Sequence, residues 1–294
     1  MRPFVFAFLG CILAVAGFIY WADPAGRWHP VGNFPTVTLG EHDTLVWPAN
    51  NIDERRARET QLRTRGAADV VLMGSSRVFL VDQAMFPRGV HAFNTGVSGG
   101  TIEDFIGFWQ ELKESRRVPR YLIIFADPWI FGGAYENASW YTLEPYTSRF
   151  LRRNADWIVW KVASQAQRFW TNLSELLSWA ALREALEIAS TRLGPHETKQ
   201  FLVTRDSDLE PTRYAYRADG SLIYPVAMME AHSAAEMLKI GDDFVDQQRS
   251  YSLADWRPSS KAPRLFKDLM EDAASLQVRV LVVFPPTSRG RSRK

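Results

Sequence analysis

The chain has 294 residues, 46% hydrophobic and 23% charged, proportions of an ordinary folded protein that exclude collagen, coiled coil and wholesale disorder. Lys and Arg number 35 against 33 Asp and Glu, and four of the basic groups crowd into the last six residues, RGRSRK. The slight positive balance is thus a tail effect and implies no nucleic-acid partner. The one cysteine, Cys11, lies in the first apolar segment, so the rest of the chain holds no disulfide, Cys-zinc site or Cys nucleophile.

Pro3 to Trp21 reads PFVFAFLGCILAVAGFIYW. An apolar run of about 20 residues is long enough to cross the hydrocarbon core as a helix. Tyr20 and Trp21 suit the far interface, where amphipathic rings settle. Residues 1–21 are therefore read as a transmembrane anchor, touching the inner (plasma) membrane through residues 3–21. Arg2 held on the cytoplasmic side would leave the main domain in the periplasm or outside the cell. A cleaved signal peptide, with Ala14-x-Ala16 as its small-residue site, is the rival reading. Apolar and aromatic residues continue past that site and favour the uncleaved anchor.

Residues 22–65 read as a juxtamembrane linker and helix. The stretch 22–50 is rich in Pro, Gly and Asn, and 52–65 (IDERRARETQLRTR) is a polar helix with no strong apolar face. Residues 66–294 form the main domain. Its short apolar runs are Val70–Met73, Val90–Asn94, Tyr121–Phe125 and Val278–Phe284, three of them near-continuous, as in strands buried on both faces of a parallel sheet. Thr101–Arg117 places Ile102, Phe105, Ile106, Trp109 and Leu112 at helical spacing, and Pro263–Leu276 is a second helix. Strands alternating with helices predict a doubly wound parallel α/β sheet.

From about 130 to 262 a large, mostly helical insertion interrupts this rhythm. Phe150–Ser190 is strongly helical and carries Trp157, Trp160, Phe169, Trp170 and Trp179. A packed helical subdomain is the ordinary reading of these rings; indoles also stack on sugars and favour membrane interfaces. Tyr216–Pro225 predicts a hairpin turning at Asp219-Gly220.

Chemistry gathers at two turns. In VVLMGSSRVF, residues 70–79, a buried strand runs into Gly74 and then Ser75-Ser76-Arg77. A serine just past a parallel strand lies at the carboxyl edge of the sheet, where open α/β folds place ligands. The alternative is a plain Ser N-cap. In FNTGVSGGT, residues 93–101, Gly99 can present an unobstructed backbone N–H to the same edge, as an oxyanion site requires. The alternative there is a turn with Thr101 capping the next helix.

With these two blocks the chain resembles the SGNH (GDSL-like) hydrolases, in particular membrane-anchored relatives that act on cell-envelope polymers. Gly74-Ser75-Ser76 matches the family's G-D-S with Ser75 in place of Asp, so Ser76 is the implied nucleophile. Asn94, Val97, Ser98, Gly99 and Thr101 match N-x-x-[VI]-S-G-x-T, making Gly99 the implied oxyanion donor beside the Ser76 amide. Ser75, Arg77, Asn94 and Asp127 are implied to line the site. The resemblance spans about 66–130 and 263–287, and implies a three-layer, flavodoxin-like fold with serine esterase or O-acyltransferase chemistry on polysaccharide.

Two departures stand out. The third block, G-x-N-D, is replaced by Phe125-Ala126-Asp127-Pro128-Trp129, and an ionised Asp127 would repel a developing oxyanion. The D-x-x-H block, due one strand beyond VRVLVVFPP, gives way to TSRGRSRK, so the domain reads as C-terminally incomplete. Spacing puts none of the five histidines beside Ser76: His91 falls in the second strand, His196 and His232 in the insertion, His29 and His42 in the linker. A hydroxyl without a base is a poor nucleophile. The expectation is a weakly active or inactive SGNH-like protein; the alternative is a non-catalytic scaffold binding polysaccharide or a membrane acyltransferase. There is no G-x-G-x-x-G, no P-loop and no convincing metal-ligand spacing, so no cofactor is expected.

Overall fold

The computed structural model describes residues 2–23, 39–40, 42–46, 53–132, 138–152, parts of 162–178, 179–193, 202–205, 214–225 and 257–284. In chain order, α1 (Arg2–Ala22), β1 (Asp43–Val46) and α2 (Glu54–Thr64) precede β2 (Val70–Met73), β3 (Ala92–Asn94), α3 (Ile102–Glu114) and β4 (Tyr121–Phe125). Then come α4 (Glu144–Leu151), α5 (Trp179–Leu193), β5 (Leu202–Arg205), β6 (Ala215–Arg217), β7 (Leu222–Ile223), α6 (Ala262–Ser275) and β8 (Arg279–Val283). Within α1 the 19-residue stretch Phe4–Ala22 is long and apolar enough to cross a membrane.

The central sheet runs β3-β2-β4-β8, all parallel, with Leu72 opposite Asn94 on one side and Ile123 on the other. Side chains alternate across a strand. Val71, Met73, Phe93, Leu122 and Ile124 therefore share one face, packed under Phe105, Ile106 and Trp109 of α3 and Leu265 and Leu269 of α6. Trp109 Nε1 and Lys113 Nζ both donate to Asp272 Oδ2, at 2.7 and 2.6 Å, and tie the two helices together.

The other face, with Val70, Leu72 and Ala92, packs against Val81, Phe86 and Val90 of the β2–β3 connection. That connection winds through two short 3₁₀ turns, Ser76–Val78 and Gln83–Met85, before Gly89 (φ 81°) reverses it. Among the described residues the long helices of this sheet thus lie on one face. The chain leaves β2 for β3 on one side and crosses to β4 on the other, so the strand order reverses between β2 and β4. Open α/β sheets form a ligand crevice at that point, outside the carboxyl ends.

A second, antiparallel sheet runs β5-β1-β6-β7. Its strand β1 comes from the segment expected as extended linker. α2, expected as a polar helix outside the domain, buries Arg55, Ala57, Arg58, Gln61 and Leu62. The described parts of 22–65 are therefore built into the folded body. The β6–β7 hairpin turns at Asp219-Gly220 as predicted, with Gly220 at φ 80°. It docks on the edge of β3: Asn94 N donates to Asp219 O at 2.8 Å, and a Cβ on Gly220 would meet Asn94 O at 2.3 Å.

The strand predicted over 90–94 begins only at Ala92, which leaves His91 exposed ahead of it, at the amino end of the sheet. Of the helical stretch 150–190, α4 ends at Leu151 and α5 starts at Trp179. Trp157, Trp160, His29, His196 and His232 lie outside the described residues.

Candidate functional site

The loops after β2, β3 and β4 converge at the carboxyl edge. Met73, Gly74 and Ser75 are buried, and the chain then folds back so tightly that a Cβ on Gly74 would lie 2.7 Å from Val78 Cγ1. The Ser75 hydroxyl accepts from Arg77 N at 3.3 Å and caps the 3₁₀ turn. Ser75 is therefore occupied inside, whereas Ser76, the first residue of that turn, is exposed.

The β3 loop is bonded onto the β2 loop. Thr95 donates to Leu72 O through both its amide and its hydroxyl, at 2.9 and 2.7 Å, and Val97 N donates to Gly74 O at 3.2 Å. A Cβ on Gly100 would lie 2.7 Å from Gly74 O and 3.4 Å from Ser75 Cα, so only glycine allows this backbone approach. Next to it Gly99, half-buried, holds φ 56°. The two Gly/Ser turns thus meet at one edge, with Ser76 and Gly99 on adjoining loops.

Asn94 does not line the site, contrary to the expectation. It is 1% exposed; its amide nitrogen donates to Val78 O and Val81 O, and its oxygen accepts from Gly96 N at 2.8 Å. Both ends of the amide are consumed between the loops, so Asn94 fastens the Ser76 turn to β3 instead of facing a ligand.

Asp127 follows β4 and is fully buried. Arg77 Nη1 stands 3.4 Å from its Oδ1, and the Arg77 guanidinium lies 5.0 Å from the centre of the Trp129 ring. Neither carboxylate oxygen accepts a well-formed hydrogen bond. Burial pushes the Asp127 carboxyl up from the usual range; the nearby Ser75 hydroxyl and the Arg77 charge pull the other way. The rim beside Ser76 therefore offers an exposed cation laid on an indole, backed by a buried acid.

Three functional supports on α2 escape a sequence reading. The Glu54 carboxylate accepts from Ser98 N and Ser98 Oγ, at 2.5 and 2.8 Å. Arg55 donates to Ser98 O at 3.1 Å and in two-pronged fashion to Asp104, at 2.8 and 2.9 Å. Arg58 Nε donates to Gly96 O at 3.1 Å while its guanidinium sits 3.9 Å over the Tyr216 ring. Together they clamp the 96–99 loop from outside. Their spacing on one helix face is the available signal, and a charged face ordinarily means solvent.

The described histidines stand at the other end. His42 and His91 line a cavity of about 790 Å³ with Arg65, Asp82 and Arg217, at the amino ends of β2 and β3. Within the described residues, Ser76 accordingly has no histidine at its edge of the sheet.

No family model, curated protein or solved structure matches the chain.

Proposed function

We propose that the chain is a membrane-anchored, extracytoplasmic SGNH-like protein, related to esterases and O-acyltransferases of envelope or exported polysaccharide and weakly active or inactive in ester turnover. The observation that carries this reading is the meeting of the two Gly/Ser loops. It leaves Ser76 exposed at the carboxyl edge beside the strand-order reversal, with Gly99 on the loop that touches its own. Ser76 is the group to attack an acyl carbonyl, and the amides of Ser76 and Gly99 are the donors to the resulting oxyanion. Two features weaken turnover. Asp127 brings a buried carboxylate, neighboured by Arg77, to the place where a neutral donor would serve. The described histidines, His42 and His91, lie at the opposite end of the sheet, so neither of them takes the Ser76 proton.

The test is hydrolysis of an activated acetyl ester by the detergent-solubilised chain and by Ser76→Ala. Rates within about twofold of each other support the reading, since a working base adds roughly 10²–10⁴-fold. A Ser76-dependent rate of that size means a base does reach the hydroxyl, and the inactive assignment falls.

The second reading is a non-catalytic module that binds polysaccharide or a membrane acyltransferase. The Arg77–Trp129 stack on the rim favours it, because an aromatic face and a cation suit a sugar ring and its substituents. Sugar binding would then survive Ser76→Ala and drop with Trp129→Ala in a chain whose fold is unchanged.

A further inference from the structure

The described part of 162–193 turns large apolar side chains to solvent. Val162, Phe169, Trp170, Leu177, Trp179 and Leu186 are between 55% and 77% exposed. Phe169 and Trp170 meet edge to face, 5.7 Å apart, so the aromatic surface is contiguous there. Leaving such surface in water costs about 25 cal/mol per Å², and contiguous apolar patches mark interfaces.

What lies beside the patch identifies its cover. Ala181, Ala185 and Leu182 of α5 pack on Phe18, Ile19 and Ala22, the end of α1. Small residues four apart let two helices approach closely. On the same stretch of α1, Tyr20 and Trp21 are themselves 45% and 50% exposed. Reading α1 as a spanning helix puts this end at the boundary between hydrocarbon and headgroups, where such rings settle. Trp179 is two residues from the contact at Ala181, and Leu186 is one from the contact at Ala185. Both must sit close to that level. Exposed Arg183 and Glu184 give α5 a mixed surface, which suits the headgroup layer and not the hydrocarbon centre.

We infer that α5 and the aromatic segment before it lie in the membrane interface beside α1, as a second contact with the lipid bilayer. This collar would fix how the domain stands over the membrane, where a single anchor alone would let it swing. The inference rests on α1 spanning the bilayer, and the experiment separates the two.

Spin labels are placed, in a Cys11→Ala background of the full chain, at Leu13→Cys, Trp179→Cys, Leu186→Cys and Lys267→Cys. The protein is reconstituted in phosphatidylcholine–phosphatidylglycerol vesicles, and collision with oxygen and with a water-soluble nickel chelate is measured. Position 13 should favour oxygen strongly, and 267 the chelate. Positions 179 and 186 should meet the chelate at least about threefold less than 267 and oxygen more, as at a shallow lipid depth. Position 186 keeps Trp179 in place, so a label that displaces the indole does not decide the outcome. Chelate access at 179 and 186 equal to that at 267, with 13 in hydrocarbon, overturns the collar and leaves the anchor standing. An aqueous position 13 overturns the anchor and the collar with it. Labels at 179 and 186 shielded from both reagents mean a protein partner covers the patch, which also overturns the inference.

Discussion

Replacing Asp104 with Asn removes the negative charge that faces Arg55 through two contacts of 2.8 and 2.9 Å, where the guanidinium is 5% exposed and the carboxylate not at all. Breaking one side of such a pair costs about 3–5 kcal/mol, because the remaining charge is left buried without its counterion. A folded domain has only about 5–15 kcal/mol in hand. Asn retains an oxygen for the Thr101 amide, which Asp104 Oδ2 now receives at 2.9 Å, so the start of α3 stays capped. Arg55→Met removes the other charge. The double variant, with neither charge in place, should be less destabilised than the two single losses added together, by several kcal/mol. Urea unfolding in mild detergent, followed by near-ultraviolet dichroism, gives the four stabilities; equal slopes confirm that the unfolding reaction is the same. Arg55 also donates to Ser98 O, so Asp104→Asn should speed hydrogen exchange at residues 97–100 more than at the strand residues of β4. A cost for Asp104→Asn under about 1 kcal/mol, or two single costs that simply add, would refute the view that this pair locks the second loop against α2.

Other perturbations reach the same framework. Gly100→Ala drives a methyl to 2.7 Å from Gly74 O and should cost about 1–3 kcal/mol as the loops are forced apart; an unchanged urea midpoint would show that they separate freely. Glu111 is buried near Glu59, with Arg63 Nε 3.5 Å away, and its carboxyl is pushed up to about 8, chiefly by burial. The folded chain then keeps a proton that the unfolded chain releases near pH 4.5, so stability should fall as pH rises from there to about 8, at up to about 1.36 kcal/mol per unit. Glu111→Gln should flatten that slope, and urea midpoints running parallel in the two proteins would contradict it.

Short-range chemistry was readable from the residues themselves. The runs VVLM and YLIIF, the apolar spacing of α3, the Thr101 cap and the Asp219-Gly220 turn depend on neighbours a few positions away, and each sits where its pattern placed it. The parallel sheet was expected from those elements, whereas its order β3-β2-β4-β8 emerged only in the tertiary structure. Other assignments needed partners far along the chain. α2 looked like a solvated helix because its arginines find Gly96 O, Ser98 O and Asp104 some 38 to 49 residues away. β1 looked like linker because its partners are β5 and β6, and Asn94 looked like a site residue because its amide is consumed by Val78, Val81 and Gly96 only when the loops close. Local pattern determined the strands and the turns. Burial of charge, the second sheet and the end of the sheet where His42 and His91 stand were decided by tertiary packing, because a charged or polar group reveals its place only when the distant partner that satisfies it arrives.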